Sequence, residues 1–134
     1  MPATSAGMTS WLDRRNLTMD RLLRATINSW RGLCDIGRNE PSFRQEVIAL
    51  LVAIPLAFVV AQEPWKRFAL VGVVVLVLVV ELLNTAIEKL ADRVSREQDV
   101  QIRRVKDMGS AAVGLSLVFA GLAWLLALAE RFFG

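Results

Sequence analysis

The chain has no histidine and a single cysteine, Cys34. Without histidine there is neither an imidazole metal site nor an imidazole general base, so acid/base chemistry falls to carboxylates, lysine or the one thiol. A lone cysteine makes no intramolecular disulfide and no cysteine cluster. Cys34 stands among apolar, helix-forming neighbours with no histidine to activate it, which favours packing over a catalytic thiol. Nucleotide signatures are missing as well: the sequence contains no GxxxxGK[ST], GxGxxG, HRD or DFG. Any nucleotide site must be built another way. The pair Arg14-Arg15 is followed by a charged segment rather than an apolar one, which excludes a twin-arginine export signal.

What the chain has in abundance is apolar residues, 54% of its 134 positions, with a mean hydropathy of +0.45. They gather in three blocks instead of spreading as amphipathic segments, which is the distribution of a membrane protein. The length suits one domain. We expect an all-α membrane protein: an N-terminal amphipathic surface helix at 20–37, then spans at 42–61, 65–92 and 107–130. Residues 1–18 show no sustained period and are expected to be disordered or variable. Leu23, Ile27, Trp30 and Cys34 follow at i, i+4, i+7 and i+11 with arginines on other faces, the pattern of a helix lying on a membrane surface, capped at Thr18 or Asp20 and closed by Gly37. Pro41 suits the first position of the next helix, and Pro55 is expected to kink it. Residues 62–67 form a short hairpin loop and 95–104 a polar connection. Gly109-Ser110-Ala111-Ala112, with Gly114 and Gly121, allow close helix approach in the third span.

Seven of the 16 Lys and Arg residues lie at or before the start of the first span, two in the first loop, six between spans two and three, and one at the end. The positive-inside rule therefore puts the N-terminus and the second loop in the cytoplasm and the C-terminus outside. Glu40 and Glu46, the end of the second span and Lys106-Asp107 all arrive at that cytoplasmic boundary.

The second span carries the unusual chemistry. After the uncharged run 68–80, Glu81, Asn84, Thr85, Glu88 and Asp92 recur at i, i+3, i+4, i+7 and i+11, one stripe of a helix. Ionisable groups inside a span are costly and by default functional. Carboxylates with Lys and Asn, and no soft ligands, suit Mg²⁺ carrying phosphates, while a buried carboxylate can accept a proton from a hydroxyl. On that chemistry Glu81 is the candidate general base, Glu40 and Glu88 are metal ligands, Asn84 orients Glu81 or a phosphate, and Lys106 is the phosphate cation. Other readings remain open: a proton or cation site of a small transporter, or carboxylates neutralised by a neighbouring helix. Glu46, Asp92 and Glu97 read as boundary groups solvated by water, and Lys106-Asp107 also fit an exposed helix start.

The segments NEPSFRQE (39–46), VELLNTAIEKLADR (80–93) and KDMGSAAV (106–113), in this order around three spans, resemble the prokaryotic diacylglycerol kinases, small integral membrane enzymes of the bacterial inner membrane. The resemblance runs from about residue 21 to the C-terminus. It implies a homotrimer with active sites shared between subunits, transferring the γ-phosphate of MgATP to diacylglycerol to give phosphatidic acid. By the same likeness Glu81 is the base, Glu40 and Glu88 bind the metal, and Asn84, Lys106, Asp107 and Ser29 belong to the catalytic and ATP-binding set. Substrate contacts are expected at Arg21, Gln45 and Glu81. A branch of the family phosphorylates undecaprenol, which stays the alternative acceptor.

Overall fold

The structure, a computed structural model, describes residues 4–95 and 99–134, with the backbone alone for residues 4–6 and 8. The described residues form four helices: α1 (Thr4–Asn39), α2 (Pro41–Val60), α3 (Pro64–Val94) and α4 (Val100–Phe133). They fall into two compact units, α1 alone and the bundle from Glu40 onward.

α1 departs from the expected boundaries at both ends. It is helical from Thr4, through residues expected to be disordered. Thr18 does not cap it: the Thr18 hydroxyl donates to the Arg14 carbonyl at 2.9 Å, a bond made inside a helix, as Ser10 donates to Gly7. Nor does Gly37 end it, since no glycine among the described residues takes a positive φ. The helix stops at Asn39 because Glu40 precedes a proline. The ring of Pro41 excludes the helical conformation at Glu40, which is extended with φ −115° and ψ 107°.

α2 and α3 begin by the same device. Glu63 is extended before Pro64, and in each case the proline occupies a first-turn position whose N–H would have no partner anyway. The first loop is accordingly shorter than the expected 62–67. α4 starts seven residues before the expected 107, because the Asp99 carboxylate accepts from the amides of Gln101 at 2.7 Å and Ile102 at 3.3 Å. Residues 100–104, half of the expected polar connection, are thus the start of α4. Glu97 lies outside the described residues.

All three bundle helices are long and apolar enough to cross a membrane. α3 is the central one, packing against α4 and α2, which barely meet each other. Its buried positions Leu70, Val77, Asn84 and Ala91 recur every seven residues, and Gly109 and Ser116 do so on α4. A seven-residue period keeps one seam facing its partner along the whole helix. The apolar core, Ala57, Val60, Ala61 and Leu70 with Trp124 and Leu128 against it, lies at the end of the bundle that holds the first loop. There the Trp124 indole donates to the Leu70 carbonyl at 3.2 Å, joining α4 to α3. Beside it Lys66 meets Glu130 at 2.5 Å and Glu63 at 3.6 Å, and the Arg67 guanidinium lies 4.6 Å from the centre of the Phe58 ring. Leu51, Val59 and Leu126 turn outward, as lipid-facing positions do.

Candidate active site

Polar side chains collect at the other end of the bundle, where α2 begins, α3 ends and α4 begins. Glu81, Asn84 and Glu88 share one flank of α3. Seven residues separate the two carboxylates, about 10 Å along the axis, and Asn84 stands between them. The Asn84 amide donates to Glu88 Oε1 at 3.3 Å. Its own oxygen is buried with no hydrogen-bond partner.

α4 fixes that amide in place. A Cβ added to Gly109 would lie 2.2 Å from Asn84 Oδ1 and 3.3 Å from its Cγ, so only glycine allows α4 this close to Asn84. Three residues earlier, the Lys106 ammonium pairs with Asp92 on α3. Asp92, expected to be merely solvated, is therefore the group that holds Lys106 at α3.

α2 supplies Glu40 and Glu46. The Glu40 carboxylate lies 3.7 Å from the Lys89 ammonium. Glu81 is within electrostatic reach of both Glu88 and Glu40, and Glu46 is within reach of Glu81. So the structure brings Glu40, Glu81, Asn84 and Glu88 into one cluster, with Lys106 near its rim. Gln45 and Asp107 are exposed on the first turns of α2 and α4. Arg21 and Ser29 belong to α1, where both are exposed and the Ser29 hydroxyl donates to the Ala25 carbonyl at 2.8 Å.

Two residues of the cluster were not singled out in the sequence. Glu46 was expected to be solvated, yet its Oε2 is buried without a donor. The sequence holds the signal: Phe43, Glu46, Leu50, Ala53, Ala57 and Val60 recur at three- and four-residue steps, putting Glu46 on the face that α2 buries. Lys89 sits next to Glu88 in sequence, on a separate face of the helix, and only the approach of α2 gives it Glu40 as a partner.

The donor set suits a magnesium ion. Glu40 and Glu88 offer hard oxygen ligands from two helices. Among the described residues no three acidic, His or Cys side chains converge closely enough to hold an ion by themselves. Mg²⁺ commonly takes one or two carboxylates and completes its shell with water and substrate phosphates, so two ligands are adequate.

Fold and site together define a three-span helical membrane protein whose carboxylates, amide and lysines meet at one end of the bundle. A family model, prokaryotic diacylglycerol kinase, matches residues 27–128. The chain is 39% identical over 112 residues to a protein named diacylglycerol kinase from Escherichia coli strain K12, covering 84% of this chain and 92% of that one. Proteins of the same name from Pseudomonas aeruginosa and Haemophilus influenzae are 41% and 34% identical over 106 residues, 79% of this chain and 86% and 90% of theirs. The chain belongs to the prokaryotic diacylglycerol kinase family.

Proposed function

We propose that the chain is an ATP-dependent lipid kinase that transfers the γ-phosphate of ATP to the free hydroxyl of diacylglycerol, giving phosphatidic acid. Family membership and the names of the relatives support the reaction. The observation that carries the site is the cluster of Glu40, Glu81, Asn84 and Glu88 at one end of three membrane spans. A lipid hydroxyl lies near the membrane boundary and ATP is water-borne, so a site in that plane meets both, and much of the barrier is overcome by positioning.

Glu81 accepts the hydroxyl proton as the oxygen attacks phosphorus. Asn84, held between Gly109 and Glu88, keeps the base and the phosphate end of the site in register. Glu40 and Glu88 would hold Mg²⁺, which when bound supplies positive charge to the phosphate oxygens. Lys106 can exchange Asp92 for a phosphate oxygen, and Lys89 limits the repulsion between Glu40 and its acidic neighbours. The resemblance assigns Ser29 and Asp107 to ATP binding and Arg21 and Gln45 to lipid binding. The charge distribution supports a cytoplasmic N-terminus and an outside C-terminus. Three copies, with sites completed between them, fit a bundle whose α4 leaves Gly114 and Gly121 open, with nothing near either.

The test is phosphate transfer from labelled ATP by purified protein in mixed micelles, with diacylglycerol, ceramide, monoacylglycerol and undecaprenol as acceptors. Diacylglycerol is expected to lead, and Glu81→Gln to lower turnover by about 10²–10⁴-fold. Full turnover by Glu81→Gln would remove Glu81 as the base. A preference for undecaprenol would move the chain to the polyprenol branch.

A further inference from the structure

α1 starts at Thr4, whereas the family match starts at residue 27, so about six turns of helix precede it. Those turns are not a featureless extension. At 100° per residue Trp11, Leu12 and Met19 share an arc of about 120° with Leu23 and Trp30, so one apolar face runs through both parts of the helix. All five side chains are exposed, Trp11 at 67% and Trp30 at 69%. Arg14, Arg21 and Arg24 lie off this arc.

Arg15 does not. It falls in the middle of the apolar arc, one turn from Trp11 and one turn from Met19. Trp11, Arg14, Arg15, Thr18 and Met19 together line a groove of about 490 Å³ that contains two guanidiniums and no carboxylate. Among the described residues neither arginine has a carboxylate within ion-pair distance. A helix laid with Trp11 and Met19 at the acyl boundary carries Arg15 to the level of lipid phosphates, where an anion is required and is present.

We propose that residues 11–19 are an interfacial anchor that binds the headgroup phosphate of an anionic phospholipid. Arg14 and Arg15 hold the phosphate, while Trp11 and Met19 enter the edge of the acyl layer. The occupant is a bilayer lipid rather than a protein, because the chain is tethered to a membrane by three spans and the groove pairs cationic with apolar lining. The anchor holds whatever alcohol the chain phosphorylates.

The test uses the intact protein in nanodiscs of phosphatidylcholine alone or with phosphatidylglycerol, and follows tryptic cleavage after Arg14 and Arg15 by mass spectrometry. Two arginines at about 1 kcal/mol each on an anionic surface correspond to cleavage about thirtyfold slower in the anionic discs, with most of the difference lost at high salt. Trp11→Ser/Met19→Ser is expected to abolish the protection while leaving lipid phosphorylation in mixed micelles unchanged, which shows that the variant is folded. Equal cleavage rates in the two compositions, fast or slow, would overturn the proposal. So would equal protection in lipid-free detergent, which would point to a protein partner.

Discussion

Gly109→Ala adds one methyl group at the point where α4 crosses Asn84. The new Cβ would stand 2.2 Å from Asn84 Oδ1, about 1 Å inside a normal carbon–oxygen contact. Two relaxations are available. Either α4 withdraws from α3, or the Asn84 amide turns away. Asn84 is only 8% exposed and donates to Glu88, so turning it breaks the bond to a carboxylate, worth about 1.5–3 kcal/mol. Withdrawal is overpacking of a closed seam, at about 1–3 kcal/mol. Both routes disturb the Asn84 amide that stands between Glu81 and Glu88, and a loss of about 1.4–3 kcal/mol in the transition state lowers kcat by about 10- to 150-fold. Initial rates with diacylglycerol and ATP, together with thermal unfolding in detergent, measure the two effects separately. The double variant Gly109→Ala/Asn84→Ala removes the clash, so it should regain the lost melting temperature while staying poorly active. A Gly109→Ala protein with normal kcat and normal melting would refute the contact and the role given to Asn84. Gly72→Ala is the comparison, since nothing lies near its added Cβ.

Glu40→Gln and Glu88→Gln should each raise the Mg²⁺ concentration needed for half-maximal rate; a change confined to the KM for lipid would assign them elsewhere. Glu46→Met removes a buried carboxylate oxygen that has no donor, so it should stabilise the apo protein by about 1–3 kcal/mol in thermal unfolding while lowering lipid phosphorylation. At the opposite end Glu130→Gln loses an exposed pair with Lys66, and its effect on unfolding should stay below about 1 kcal/mol with turnover unchanged.

The helices were legible because their signals are local. Three apolar blocks announced three spans, and Pro41 marked one start to within a residue, while Pro64, which begins α3, was read as part of the loop. The start of α1 was not, because its first turns carry small and polar residues whose hydroxyls bond back into the helix, and no periodicity reports that. The carboxylate stripe of α3 was plain in its spacing, since all its members belong to one helix. Glu46 was misjudged by counting its distance from the boundary instead of its face. Lys89 with Glu40, Lys106 with Asp92 and Gly109 against Asn84 each join two helices, and no single-helix period encodes which residues meet across a crossing. Gly109 came nearest, as a small residue marked for close approach with its neighbour unnamed.

Both ends of the bundle carry ion pairs, but only one also buries acceptors without donors, and the contrast bears on what the inner cluster is for. At the first-loop end, Lys66, Glu63 and Glu130 satisfy one another in contact with water, and the pocket they line with Arg131 needs no ligand to be stable. At the other end Asn84 Oδ1 and Glu46 Oε2 are both buried without a donor. At about 1–3 kcal/mol for each unsatisfied group, the free chain carries about 2–6 kcal/mol that a better-packed apolar pair would not cost. Gly109 holds α4 so close that one of these atoms cannot escape to solvent. Neither atom is an accident of a loose surface, because each lies on the buried face of its helix, next to the carboxylate on the neighbouring turns. A hydroxyl reaching Glu81 would bring a donor to just this region. On the proposed reading a donor brought by substrate meets acceptors already placed here, whereas the Lys66 pairs at the first-loop end have their partners within the bundle.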